Sequence, residues 1–274
     1  MGRLIKDTYI NPFTDFGFKK LFGTEFNKPL LINFLNQLIG EEAGIIKEIT
    51  FLKNNRNAIF DLYCENQDGE KFLVEVQKAK QTYFKDRSVF YSTFPIQEQA
   101  EKGDWDFKLK SVYTIGILDF VFPEDKDNPE IFHHEVKLVD RSTNKIFYDK
   151  LTYIYLEMPK FNKTEDELET LYDKWLYVFK NLNKLTDKPK KLQEKVFSKL
   201  FEEARVAALD EEEYADYEES LKVYRDLKNV LDTSFEEGAL SKAINMAITM
   251  KKDEIPTETI MKYTELSREE IERL

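Results

Sequence analysis

The chain has 274 residues, 42% of them hydrophobic and 14% aromatic, with a formal net charge of -11. That composition builds a packed globule and excludes a disordered chain. The single cysteine, Cys64, excludes an intrachain disulfide, and no window approaches the roughly 18 consecutive apolar residues of a membrane span. A tight, promiscuous nucleic-acid binder would carry a basic surface, so the acidity argues against that class. The acidic excess is mostly C-terminal, in runs such as Asp210-Glu211-Glu212-Glu213, which leaves room for a local basic groove. The opening MGRLIKDTYINPF lacks the apolar core of a signal peptide. A soluble cytoplasmic protein with no membrane partner is therefore expected.

Residues 11–23, NPFTDFGFKKLFG, predict a short helix that Thr14 or Asp15 can cap and Gly23 can end. A second helix follows, with Pro29 in its first turn, a stripe of Leu30, Leu31, Phe34, Leu35 and Leu38, and Gly40 as its stop. Residues 45–52 predict a first strand, with Asn54-Asn55 bending the chain after it.

Residues 58–77, AIFDLYCENQDGEKFLVEVQ, then read as a β-hairpin with Asp68-Gly69 in its turn. Asp61 lies mid-strand among apolar residues, and Glu75 lies near-opposite in the partner strand. Cys64 alternates onto the other face, as a small buried hydrophobe. An acid in an apolar strand is costly to desolvate and takes a partner, either an ion pair or a metal. Two facing carboxylates repel unless a cation or a proton sits between them. This is the physical case for a divalent-metal site suited to phosphodiester chemistry.

Helical spacing returns over 79–94, and Pro95 is expected to kink or end that helix. The basic residues Lys78, Lys80, Lys85 and Arg87 follow the acids directly, and they suit either phosphate contacts or a solvated helix face. Residues 111–120, SVYTIGILDF, predict a strand buried on both faces, and 132–138 with 145–156 predict a further pair at the sheet edge. The adjacent His133 and His134 cannot share a face and have no Cys or His nearby, so packing or surface roles are expected of them rather than zinc. After Pro159 the pattern turns helical, with stripes such as Leu171, Trp175, Val178 and Phe179. We therefore expect two regions, 1–160 and 161–274. The second ends at 255–274 in two short helices.

Taken together, DFGFKKLFG, AIFDLYC, EVQ, KDRSVFYST, VYTIGILDF, LEMPKF, DKWLYVFKNL and YEESLKVYRD resemble the PD-(D/E)XK nuclease superfamily, in its transposase-associated, recombination-promoting nuclease (Rpn-like) branch. The resemblance covers nearly the whole chain. It implies an α/β fold: a restriction-endonuclease-like core with a mixed central sheet flanked by helices, then an all-helical region with a degenerate helix-turn-helix-like tail. It also implies Mg²⁺- or Mn²⁺-dependent cleavage of DNA, leaving a 3′ hydroxyl and a 5′ phosphate, in the service of recombination or mobile elements.

Carried over by position, Asp61 and Glu75 would be metal ligands, joined by the backbone carbonyl of Val76. Asp15 would act through water or align the site. Gln77 stands where the superfamily usually has lysine, so an amide replaces a charge in the catalytic set Asp61, Glu75 and Gln77. Lys80 and Gln81 would be auxiliary, and Lys78, Lys85 and Arg87 would contact DNA. Hard oxygen ligands suit Mg²⁺ or Mn²⁺. Glu265 stands where such tails usually have glycine, and an acidic second helix favours packing or self-association through the C-terminal helices over reading DNA. The rival reading is a nuclease-like module that binds DNA or a protein without cleaving.

Overall fold

The computed structural model describes residues 6–40, 44–53, 60–100, 103 and 105–274. The bend expected at Asn54-Asn55 and the first residues of the hairpin, Ala58 and Ile59, lie outside the described residues. Six strands form one mixed sheet: β1 (Ile49–Phe51), β2 (Leu62–Asn66), β3 (Lys71–Gln77), β4 (Val112–Leu118), β5 (His133–Asp140) and β6 (Lys145–Glu157). Their order is β1-β2-β3-β4-β6-β5. The β2–β3 hairpin is antiparallel, β3 and β6 flank β4 in parallel, and β5 folds back on β6 at the edge. Gly69 supplies the positive φ of 79° that the hairpin turn needs. β4 is buried at every position, as its unbroken apolar run predicts.

Among the described residues, eight α-helices surround or follow the sheet: α1 (Asp15–Phe22), α2 (Lys28–Ile39), α3 (Phe84–Glu98), α4 (Leu171–Asn181), α5 (Lys195–Glu203), α6 (Glu211–Lys252), α7 (Thr257–Thr264) and α8 (Arg268–Arg273). Three boundaries differ from the sequence reading. β2 begins only at Leu62, which leaves Asp61, expected mid-strand, just outside it. The first strand shrinks to three residues. The helix expected over 79–94 starts at Phe84 and continues through Pro95, whose missing N–H costs one backbone bond without ending the helix.

The chain divides into two compact units, Met1–Tyr224 and Arg225–Leu274, the division falling within α6. In the first, α1, α2, α4, α5 and the opening turns of α6 share one core with a face of the sheet. Trp175 is fully buried there, packed against Phe22, Phe34, Phe179 and Phe197 with ring centroids 5.0–6.4 Å apart. Its indole N–H donates to Asn33 Oδ1 at 2.8 Å. Each such aromatic pair adds about 0.5–1.5 kcal/mol beyond the area it buries. The change of composition after Pro159 marks the end of the sheet, while α4 and α5 still pack into the same core as α1 and α2. In the second unit, Ala247, Ile260, Leu266 and Ile271 form a small core joining the end of α6 to α7 and α8. Glu265 occupies the left-handed turn between α7 and α8 with φ 60°. Among the described residues, no helix is long and apolar enough to cross a membrane.

The start of α1 depends on a close approach. Thr14, not Asp15, is its N-cap, and the Thr14 hydroxyl donates to the Asn11 carbonyl while accepting from Gly17 N–H. A Cβ on Gly17 would clash with that same Asn11 carbonyl. Gly17→Ala should therefore lower stability by about 1–3 kcal/mol, read as a reduced urea midpoint with an unchanged m-value.

Candidate active site

The hairpin ladder pairs Leu62 with Val74 and stops there. One step further, Asp61 and Glu75 come opposite each other at the open end, off the ladder on the β2 side. Val76 N–H, released from strand pairing, donates instead to Asp61 Oδ2 at 2.6 Å. In an extended strand the N–H and C=O of one residue point to the same edge, so the Val76 carbonyl lies along this edge too. Burial pushes Asp61 up to about 6; the Val76 bond opposes the rise and the Asp15 charge adds to it. Burial also raises Glu75, the Arg87 guanidinium pulls it back, and the charge of Asp61 pushes it further up. Like charges about 4 Å apart repel by roughly 4 kcal/mol at an effective dielectric near 20. A cation between these acids would relieve that cost.

Two groups of cations flank the pair. On one side a cavity of about 650 Å³ is lined by Asp15, Lys19, Lys20 and Lys78, with Glu213 and Asp216 at the start of α6. Asp15 pairs with Lys19 at 2.9 Å, and Lys20 pairs with Glu213. Burial lowers the Lys78 amine, while the charges of Asp15 and Asp61 raise it, so Lys78 shares their field. On the other side α3 delivers Arg87, whose guanidinium bonds to Glu75 Oε1 and Gln81 Oε1 and lies 3.3 Å from Gln77 Oε1. Gln77 is buried, and its amide nitrogen donates to the Ala79 carbonyl at 2.9 Å. Lys80 and Lys85 are exposed. Lys85 pairs with Glu124 and sits 4.3 Å over the Phe122 ring.

The fold thus gathers Asp15, Asp61, Glu75, Val76, Gln77, Lys78, Gln81 and Arg87 at one end of β3, with Lys80 and Lys85 on its outer side. Two facing carboxylates and a carbonyl edge are a hard-oxygen donor set, and they fit a divalent ion such as Mg²⁺.

A second cluster escaped the sequence reading. Asp125, His134 and Glu157 bring ligand atoms within 4.8 Å of one another, close enough for one metal ion. His134 Nε2 lies 3.3 Å from Glu157 Oε2 and 3.9 Å from Asp125 Oδ2. Glu157 is fully buried; it accepts from Phe122 N–H and pairs with Lys160 at 2.6 Å. His134 packs against the Phe122 ring, in keeping with the packing role expected of it, and also joins this cluster. The three residues come from a short 3-10 helix and two strands, so no sequence spacing could reveal them.

In folded, metal-free protein Asp61 holds its proton up to about pH 6, against 3.8 for a free carboxyl. Folding thus favours the protonated form, and the penalty grows as pH rises from about 4 through 6. Asp61→Asn, which never charges, should raise stability in EDTA at pH 7.5 by up to about 3 kcal/mol and lose most of that gain at pH 4. Thermal melts at the two pH values check this.

A family model described as PD-(D/E)XK nuclease family transposase matches residues 12–234. That span contains the whole sheet and all the site residues from Asp15 to Arg87. No match emerges among curated proteins or among solved structures. The match over most of the chain agrees with the motifs and the fold, and on it this protein belongs to the PD-(D/E)XK nuclease family transposase group.

Proposed function

We propose that this protein is a metal-dependent DNA endonuclease, serving recombination or mobile DNA. The observation that carries the reading is the opposition of Asp61 and Glu75 at the open end of the hairpin, with Val76 N–H fixing Asp61. Asp61, Glu75 and the Val76 carbonyl would hold Mg²⁺ or Mn²⁺. Such an ion polarises the scissile phosphate and supplies a water of lowered pKa. Hydrolysis forms a bond from the water oxygen to phosphorus and breaks the bond from phosphorus to O3′, leaving a 5′ phosphate and a 3′ hydroxyl. Asp15 orients its neighbours through Lys19 and through its charge on Asp61. Lys78, Lys85 and Arg87 offer cations to the DNA backbone, while Lys80 and Gln81 line the approach. Gln77, held by Ala79 and Arg87, orients rather than charges the site. A cytoplasmic setting suits the lone, buried Cys64. Self-association through the C-terminal helices suits apolar residues exposed on α6, such as Val230 and Phe235.

One observation favours the rival reading of a non-catalytic DNA- or protein-binding module: Glu75 is already neutralised by Arg87. The two readings separate in one assay. Purified protein with Mg²⁺ or Mn²⁺ should nick or linearise plasmid DNA, EDTA should abolish this, and Asp61→Ala or Glu75→Ala should lower the rate by about 100-fold or more. Equal cleavage by the folded variants, or none by the native protein, would overturn the nuclease reading.

A further inference from the structure

The site has an electrostatic gap. A phosphorane gains negative charge on its non-bridging oxygens, and Gln77, where a lysine would be expected, brings only an amide dipole. The Gln77 side-chain oxygen, Oε1, nevertheless faces a charge, the Arg87 guanidinium at 3.3 Å. The same guanidinium binds Glu75 and Gln81, so one side chain joins three groups of the candidate site.

Its placement is rigid. Phe84, one turn earlier on α3, is 3% exposed and wedged among Phe120, Phe122 and Tyr155. Ser92 bonds Tyr153 of β6 at 2.8 Å, which pins α3 to the sheet a second time. The Arg87 side chain lies beside the Phe84 and Tyr91 rings, 5.9 and 5.7 Å from their centroids. Of the other cations, Lys78 and Lys19 share the field of Asp15 and Asp61 in the cavity beyond Asp61, and Lys85 is paired with Glu124.

We infer that Arg87 is the catalytic cation of this nuclease, replacing from α3 the charge that Gln77 lacks on β3. The inference rests on the nuclease reading. Without substrate, Arg87 neutralises Glu75. With DNA in place its Nη groups turn to a non-bridging oxygen of the scissile phosphate, and Gln77 and Gln81 hold the guanidinium on course. A guanidinium suits this task because its planar donors match two phosphate oxygens and it keeps its charge at any working pH.

Arg87→Met keeps the aliphatic packing against the two rings and removes the charge. It should cut plasmid cleavage about 100- to 1,000-fold, the usual cost of one lost oxyanion donor. Calorimetric Mg²⁺ affinity of the DNA-free variant should hold or tighten several-fold, because Arg87 no longer competes for Glu75. Gln77→Lys added to Arg87→Met should recover at least about tenfold of the rate, which a structural role would not allow. If the Met variant melts early, Arg87→Gln serves as the uncharged form, with the same expectations. Native-like cleavage by the uncharged variant, or lost cleavage with weakened Mg²⁺ binding and no recovery from Gln77→Lys, would overturn the inference. Cleavage that is abolished by Asp61→Ala but retained in Arg87→Met would overturn it alone, leaving the nuclease reading intact. No cleavage by the native protein would overturn both.

Discussion

The register of one hairpin governs the site. A two-residue period means that a slip of one position would send Glu75 to the opposite face of the sheet and part it from Asp61. The turn around Gly69 and the pairs from Glu65↔Lys71 to Leu62↔Val74 exclude that slip. The ladder also has to stop where it does. Had β2 continued through Asp61, Val76 N–H would have been committed to a strand partner. Because pairing ends one residue earlier, the donor fastens a carboxylate instead.

The two layers around the sheet supply what the hairpin cannot. One face carries α1, with Asp15 and Lys19, packed into the core that contains Trp175. The other carries α3, anchored through Phe84 to the smaller cluster of Phe122 and Tyr155. Cations thus approach the two carboxylates from independent packing units, Lys78 within the Asp15 field and Arg87 on Glu75. Neither group of cations needs the other to be positioned.

Most of this architecture was legible in the sequence because it is encoded locally. Pro29 and Gly40 bracket α2, alternation and Asp68-Gly69 define the hairpin, and the apolar run of 111–120 marks β4. The opposition of Asp61 and Glu75 could be read because a tight turn converts sequence distance into register. What escaped depends on long-range packing. α3 begins at Phe84 because that ring finds a pocket under β4 and β6, which no window of α3 itself records. The Arg87 ion pair with Glu75 and the cluster of Asp125, His134 and Glu157 likewise join side chains from separate elements.

Cys64 lies on the core face of β2, opposite Phe72 and away from the acids, fully buried, with its thiol pushed up to about 12 by burial. Thiolate is the reactive form, so at neutral pH the buried Cys64 of the folded chain is a poor target for thiol-specific reagents. It is already a silent background for spectroscopic labelling: a single cysteine introduced on the exposed side of α3 would report that helix alone, without removing any native residue.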